Sequence, residues 1–132
     1  MMAKAKGSFQ ITSFNEDTYE DRGSGAKLTH ASGDQAFSGD IEGEGVVHWL
    51  MSYRSDKTAR YVGLQRIKGE IGGRKGSFII EATGDFDGKA SRGTWSVIPG
   101  SGTDELGGIK GSGTFDAPGG PKATYDLDHE LA

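Results

Sequence analysis

No cysteine occurs in the 132 residues. That absence removes disulfides, thiolate nucleophiles and cysteine-held zinc together. It suits a reducing compartment, so a cytoplasmic location is expected. Proline is scarce, at three residues. A chain of this length predicts a single domain over residues 1–132, with a flexible start over 1–6 and the ordered part over 7–131. Long apolar runs are missing as well. None approaches the roughly 18 residues that a membrane span needs, so no membrane partner is expected. The opening MMAKAKGSF has lysines with no apolar stretch behind them, which argues against a signal peptide. Charge is not concentrated in one sign. Fifteen Lys and Arg against nineteen Asp and Glu give a net −4 with no basic stripe, so nucleic acid is not an expected partner.

Chemical motifs are also missing. The run Gly73-Arg74-Lys75-Gly76-Ser77 only looks like a phosphate loop, and no G-x-G-x-x-G opens a helix. Asp85-Phe86-Asp87-Gly88 starts like a calcium loop, but Ser96 stands where the bidentate glutamate belongs, so a plain hairpin turn is expected. His30, His48 and His129 are far apart, with no H-x-H pair. No metal and no cofactor are expected. Without a G-x-S-x-G elbow or a cysteine, covalent acyl chemistry is disfavoured.

What the sequence does have is glycine, 23 of them, and alternation. From Phe37 to Tyr53 every second residue is apolar or glycine: Phe37, Gly39, Ile41, Gly43, Gly45, Val47, Trp49, Met51, Tyr53. The intervening set is mainly polar. A period of two marks a strand with one wet face. Ser55-Asp56-Lys57 turns the chain, and a return strand runs from Ala59 to Gly69. Glycine within strands marks bends, bulges or close backbone approach, and a closed barrel needs such corners.

The other strands follow the same reading. Gly7–Phe14 starts one, with Phe9 and Ile11 in phase. Residues 15–25 (NEDTYEDRGSG) read as a loop whose Tyr19 could fold over a barrel mouth. A weaker strand spans Ala26–Gln35 and bends near Gly33 towards Phe37. Gly76–Phe86 and Ala90–Ile98 flank Asp87-Gly88, which predicts a type I′ turn with positive φ at both central residues. Pro99–Gly108 breaks the pattern, with room for one helical turn at Asp104–Leu106. Strands at Ile109–Phe115 and Ala123–Leu131 flank a turn at residues 117–121. The expected fold is all-β, a single antiparallel up-and-down eight-stranded barrel, with a β-sandwich as the alternative.

The segments FSGDIEGEGVVHWLMSYR (37–54) and GGIKGSGTFDAPGG (107–120) carry a resemblance. So do AKLTHAS, YVGLQRIKGEIGGRKGSF, ATGDFDG, TWSVIPGSGTDELGGIKGSGTF and YDLDHEL. Together they cover Gly7 to Leu131. The chain resembles a family of small uncharacterised bacterial proteins known only as a domain of unknown function. The resemblance implies an eight-stranded, calycin-like barrel like that of allene oxide cyclase. Plant allene oxide cyclase is a trimer that steers its substrate with a glutamate and a few polar groups. Those positions have no residue-by-residue match here, and the family brings no catalytic residues to carry over.

A small barrel either fills its interior or leaves room for one ligand. The apolar-plus-glycine face should line the lumen, with Phe37, Ile41, Val47, Phe78, Ile80, Val97 and Phe115 in its wall. The candidate ligand-binding residues on that face are Gln35, Trp49, Tyr53, Tyr61, Gln65, Trp95 and Tyr125. Arg66 and Glu81 stand among apolar neighbours and are candidate lumen charges. Glu42, Glu44 and His48 share the other, solvent-facing side of their strand, where a carboxylate near histidine could do acid–base work. Three functions follow as expectations. One is binding of a small apolar or amphipathic molecule in the lumen. Another is a cofactor-free isomerase or cyclase acting on a small hydrophobic substrate, which gains from orientation and water exclusion. The third is a homo-oligomer, dimer or trimer, with a filled barrel and an outer interface of Val46, Leu50, Val62, Leu64 and Ile79.

Overall fold

The computed structural model describes residues 2–119 and 122–131. The alternating segments form eight strands: β1 (Ala3–Gly23), β2 (Ala26–Gly39), β3 (Ile41–Tyr53), β4 (Ala59–Ile71), β5 (Arg74–Phe86), β6 (Ser91–Val97), β7 (Lys110–Ala117) and β8 (Lys122–Glu130). Each pairs antiparallel with the one before it, and β8 pairs with β1, so the strands close into a ring. No helix among the described residues is long and apolar enough to cross a membrane.

Successive side chains alternate between the two faces, so each strand sends every second residue inward. On β3 and β4 these are Ile41, Val47, Trp49, Met51, Tyr53, Ala59, Tyr61, Gln65, Ile67 and Ile71; β5 and β6 add Phe78, Ile80, Trp95 and Val97. The rings inside pack as a tilted pile. Trp95 stacks on Tyr125 at 5.6 Å and on Phe9 at 6.0 Å, while Phe9 meets Phe37 at 5.1 Å.

The glycines let these rings fit. Trp49 is paired across the ladder with Gly63, Tyr61 with Gly84, and Phe115 with Gly93. A Cβ on Gly84 would sit 2.6 Å from the Tyr61 hydroxyl, and one on Gly93 would sit 2.6 Å from the Phe115 ring. Each ring therefore covers backbone that a side chain would otherwise occupy.

The two ends of the ring differ. At one end, the β6–β7 connection carries a 3₁₀ turn at Asp104–Leu106, and Leu106 and Ile109 are buried. Tyr125 fixes the same end. Its hydroxyl accepts the Ile41 N–H at 2.8 Å and donates to the Ser38 carbonyl at 2.9 Å. The opposite end is bordered by the hairpin turns after β1, β3 and β5, and it is open.

Several expectations are corrected. Residues 3–6, expected as a flexible start, pair with β8 from Ala3↔His129 onward. The stretch 15–25 is not a loop. β1 runs through it to Gly23, and the turn is only Ser24-Gly25, both with positive φ. Asp87 has no positive φ, so the next turn is not type I′. Instead the Asp87 carboxylate accepts the N–H groups of Lys89 and Ala90 at 2.9 and 2.8 Å. Tyr19 does not cover the mouth. It is exposed, beside Leu28, Leu50 and Val62 on the outer surface. The turn expected at 117–121 lies partly outside the described residues.

Candidate functional site

A bulge in β1 builds the site. Ile11 pairs with Gln35 but Ser13 pairs with Asp34, so Thr12 is an extra residue in the ladder. One inserted residue reverses which side chains face in. Before it, Ala5, Phe9 and Ile11 point inward. After it, Phe14 and Glu16 do, opposite Gly33 and Ala31. A carboxylate is thereby set into the wall of an apolar interior.

The cavity at the open end has a volume of about 320 Å³. Phe9, Phe115 and Ala123 form its deep part. Trp49, Met51, Tyr53 and Tyr61 form the β3–β4 wall, and Phe86, Ser91 and Ala117 the wall opposite, while Ile11, Phe14 and Glu16 complete it from β1. Tyr53 and Phe86 also border a wider outer cleft beneath the β1–β2 hairpin, lined by Thr18, Asp21, Lys27 and Lys57.

Glu16 is held in place. Its Oε2 accepts Thr29 Oγ1 at 2.7 Å and the Tyr53 hydroxyl at 2.8 Å. Burial, then the hydrogen bond to Glu16 and its negative charge, push the Tyr53 phenol well above its ordinary range. Burial likewise raises the Tyr61 phenol. Both are neutral hydroxyls near neutral pH.

The seven candidate ligand-binding residues all face the interior but divide into three groups. Trp49, Tyr53 and Tyr61 line the cavity. Trp95 and Tyr125 fill the ring below it. Gln35 and Gln65 are buried and bonded to each other, Gln65 Nε2 donating to Gln35 Oε1 at 2.6 Å. Gln35 Nε2 has no partner among the described residues.

Arg66 and Glu81 are not lumen charges. Both are exposed on the outer face, because the inward phase of β4 and β5 belongs to Gln65, Ile67, Ile80 and Ala82. Glu42, Glu44 and His48 share the outer face of β3. The register of β2 on β3 brings His30 beside His48, Nε2 to Nδ1 at 3.0 Å, in a shallow outer groove that Glu81 also borders. No group of three His, Asp or Glu side chains among the described residues is arranged to hold a metal ion.

A family model described as "Protein of unknown function (DUF3224)" matches residues 5–129. The chain belongs to the DUF3224 family. Among solved structures, it is similar to a DUF3224 protein of unknown function from Shewanella oneidensis MR-1. That crystal structure shares 26% identity, covers 100% of this chain and 98% of its own, and superposes with a TM-score of 0.84. No curated protein matches. Family membership therefore supplies the fold and no chemistry, and the DUF3224 site rests on its residues.

The residue that sequence reasoning missed in this DUF3224 chain is Glu16. Extrapolating the phase of Phe9 and Ile11 puts position 16 outside, and the polar run around it reads as a loop. The available signal was Gly23-Ser24-Gly25, a compact turn that leaves residues 15–22 free to continue a strand.

Proposed function

We propose that this chain is an allene-oxide-cyclase-like, calycin-like barrel that binds one small apolar or amphipathic molecule in its lumen. The observation that supports the reading is the half-open cavity of about 320 Å³, walled by aromatic and aliphatic side chains with Glu16 and the hydroxyls of Tyr53, Tyr61 and Ser91 as polar points. Small-molecule pockets combine such walls with a few placed polar groups, and they begin at about 300 Å³. The test uses N-phenyl-1-naphthylamine, a neutral probe that fluoresces in apolar surroundings. Saturable enhancement is expected in the wild type and its loss in Ala117→Trp, which fills the cavity wall. An unchanged signal in that folded variant, or none in the wild type, overturns the reading.

Glu16 favours a second reading, a cofactor-free isomerase or cyclase. A carboxylate oriented by two hydroxyl donors inside an apolar cavity can take a proton from a confined substrate. Loss of turnover in Glu16→Gln with retained substrate binding would support it; unchanged turnover would discard it.

Assembly into a homo-oligomer belongs to the same proposal. Leu50, Val62 and Leu64 are each about half exposed and adjoin across β3 and β4. Clustered exposed apolar side chains mark contact surfaces. Sedimentation of the wild type against L50E/L64E tests it. A wild type that sediments as a monomer at all concentrations sinks the idea.

A further inference from the structure

We infer that the molecule taken up by the cavity is an organic cation: a protonated amine or a quaternary ammonium on a compact apolar body. The inference rests on the cavity-binding reading above and adds the chemical class of the ligand.

Three observations carry it. The first is the charge inventory. Among the described residues that line the cavity, Glu16 is the sole charged side chain, with no lysine, arginine or histidine. An anionic head would meet a fixed negative charge with no positive side chain in the cavity lining to offset it. An apolar head would strip water from the carboxylate and leave it uncompensated.

The second is how Glu16 is bonded. Both internal donors, Thr29 and Tyr53, go to Oε2. Oε1 receives no hydrogen bond from the described residues. The carboxylate is therefore oriented by one oxygen and offers the other. An ammonium N–H supplies both the missing donor and the missing charge, whereas an alcohol supplies only the donor.

The third is the wall. Seven of the lining side chains are aromatic. Near the mouth Phe14 lies 6.4 Å from Trp49, and Trp49 meets Tyr61 edge-on at 6.3 Å. Aromatic faces attract cations, most strongly where water is excluded. The Tyr53 ring already shows this: Lys27 Nζ sits 5.1 Å from its centroid, and Lys27 borders the outer cleft rather than the cavity. The cavity volume of about 320 Å³ accommodates a body the size of a phenylalkyl group.

The test is a head-group series on one body, followed by calorimetry near neutral pH: 3-phenylpropylamine, 3-phenyl-1-propanol and 3-phenylpropionate. The ammonium is expected to bind about tenfold more tightly than the alcohol, and the carboxylate more weakly than both, on the scale of one charge-assisted contact with a ring contribution. In Glu16→Gln the ammonium should fall to the level of the alcohol while the alcohol is unchanged. The wild-type series decides the matter even if that variant does not fold. An alcohol or carboxylate that binds as tightly as the ammonium, with N-phenyl-1-naphthylamine still bound, overturns the cation and leaves the cavity standing. Failure of all three together with the neutral naphthylamine overturns both.

Discussion

The Tyr53 hydroxyl donates to Glu16 Oε2 at 2.8 Å and so ties the end of β3 to the part of β1 beyond its bulge. Tyr53→Phe removes one of two donors from a half-buried carboxylate. The expected loss is about 1.5 kcal/mol, the low end for hydrogen bonds to charged groups because water still reaches the site. Denaturant titration of the two proteins measures it.

Three phenols are held above their ordinary range: Tyr53 by burial and then Glu16, Tyr61 and Tyr125 chiefly by burial. A phenol with a raised folded pKa stays neutral while its unfolded counterpart ionises at about 10. The stability it contributes is complete below that pH and is lost as pH rises beyond it. Ultraviolet titration should therefore show at least three of the four tyrosines ionising late, with Tyr53→Phe removing one of them. Two or more ionising near the ordinary value would contradict this.

Gly63→Ala should destabilise the ring and narrow the cavity. Its Cβ would run into the His48 carbonyl and lie 2.6 Å from Trp49 Cδ1. Backbone cannot yield, so Trp49 must. Overpacking of this kind costs about 1–3 kcal/mol. The expected signature is a lower thermal midpoint together with weaker probe binding; an unchanged midpoint would refute the close packing.

The Gln35–Gln65 pair predicts a non-additive cycle. Gln65→Leu leaves Gln35 buried with both amide ends unpaired, at a cost of about 1–3 kcal/mol. Q35L/Q65L removes both and should be less damaging than the sum of the singles. Strict additivity would show that the two amides do not depend on each other.

His129 is buried with Nδ1 unpartnered among the described residues, and burial holds its imidazole below the ordinary value. A depressed folded pKa gives stability that is present above the unfolded value of about 6.5 and lost as pH falls below it. The wild type should lose stability between about pH 7 and 5 more steeply than His129→Gln. Parallel pH profiles for the two proteins would dismiss this.

Much of the fold was legible because the wet and dry faces of β3 differ so plainly. Its alternation from Ile41 to Tyr53 identified the inward set, and the matching positions of β4, β5 and β6 followed. The site was less legible. The bulge at Thr12 shifts phase without leaving a mark in polarity, so Glu16 read as part of a polar loop. His30 and His48 are eighteen residues apart, and only the pairing of β2 with β3 brings them to 3.0 Å. Arg66 and Glu81 drew notice through apolar neighbours, but Val62, Leu64 and Ile79 lie on the outer face as well, which made the two faces of β4 and β5 look alike.

The pairing of β1 with β8 has a consequence for synthesis. Strand edges are exposed templates until something covers them. On the ribosome, β2 to β7 can each add to the strand before them, but the first edge of β1 stays bare until β8, more than a hundred residues later, has emerged. Growth of the sheet is local; its sealing is a single late event. A chain stalled before Lys122 would carry two open edges and a half-formed greasy trough, the state in which one nascent copy is most prone to stick to another.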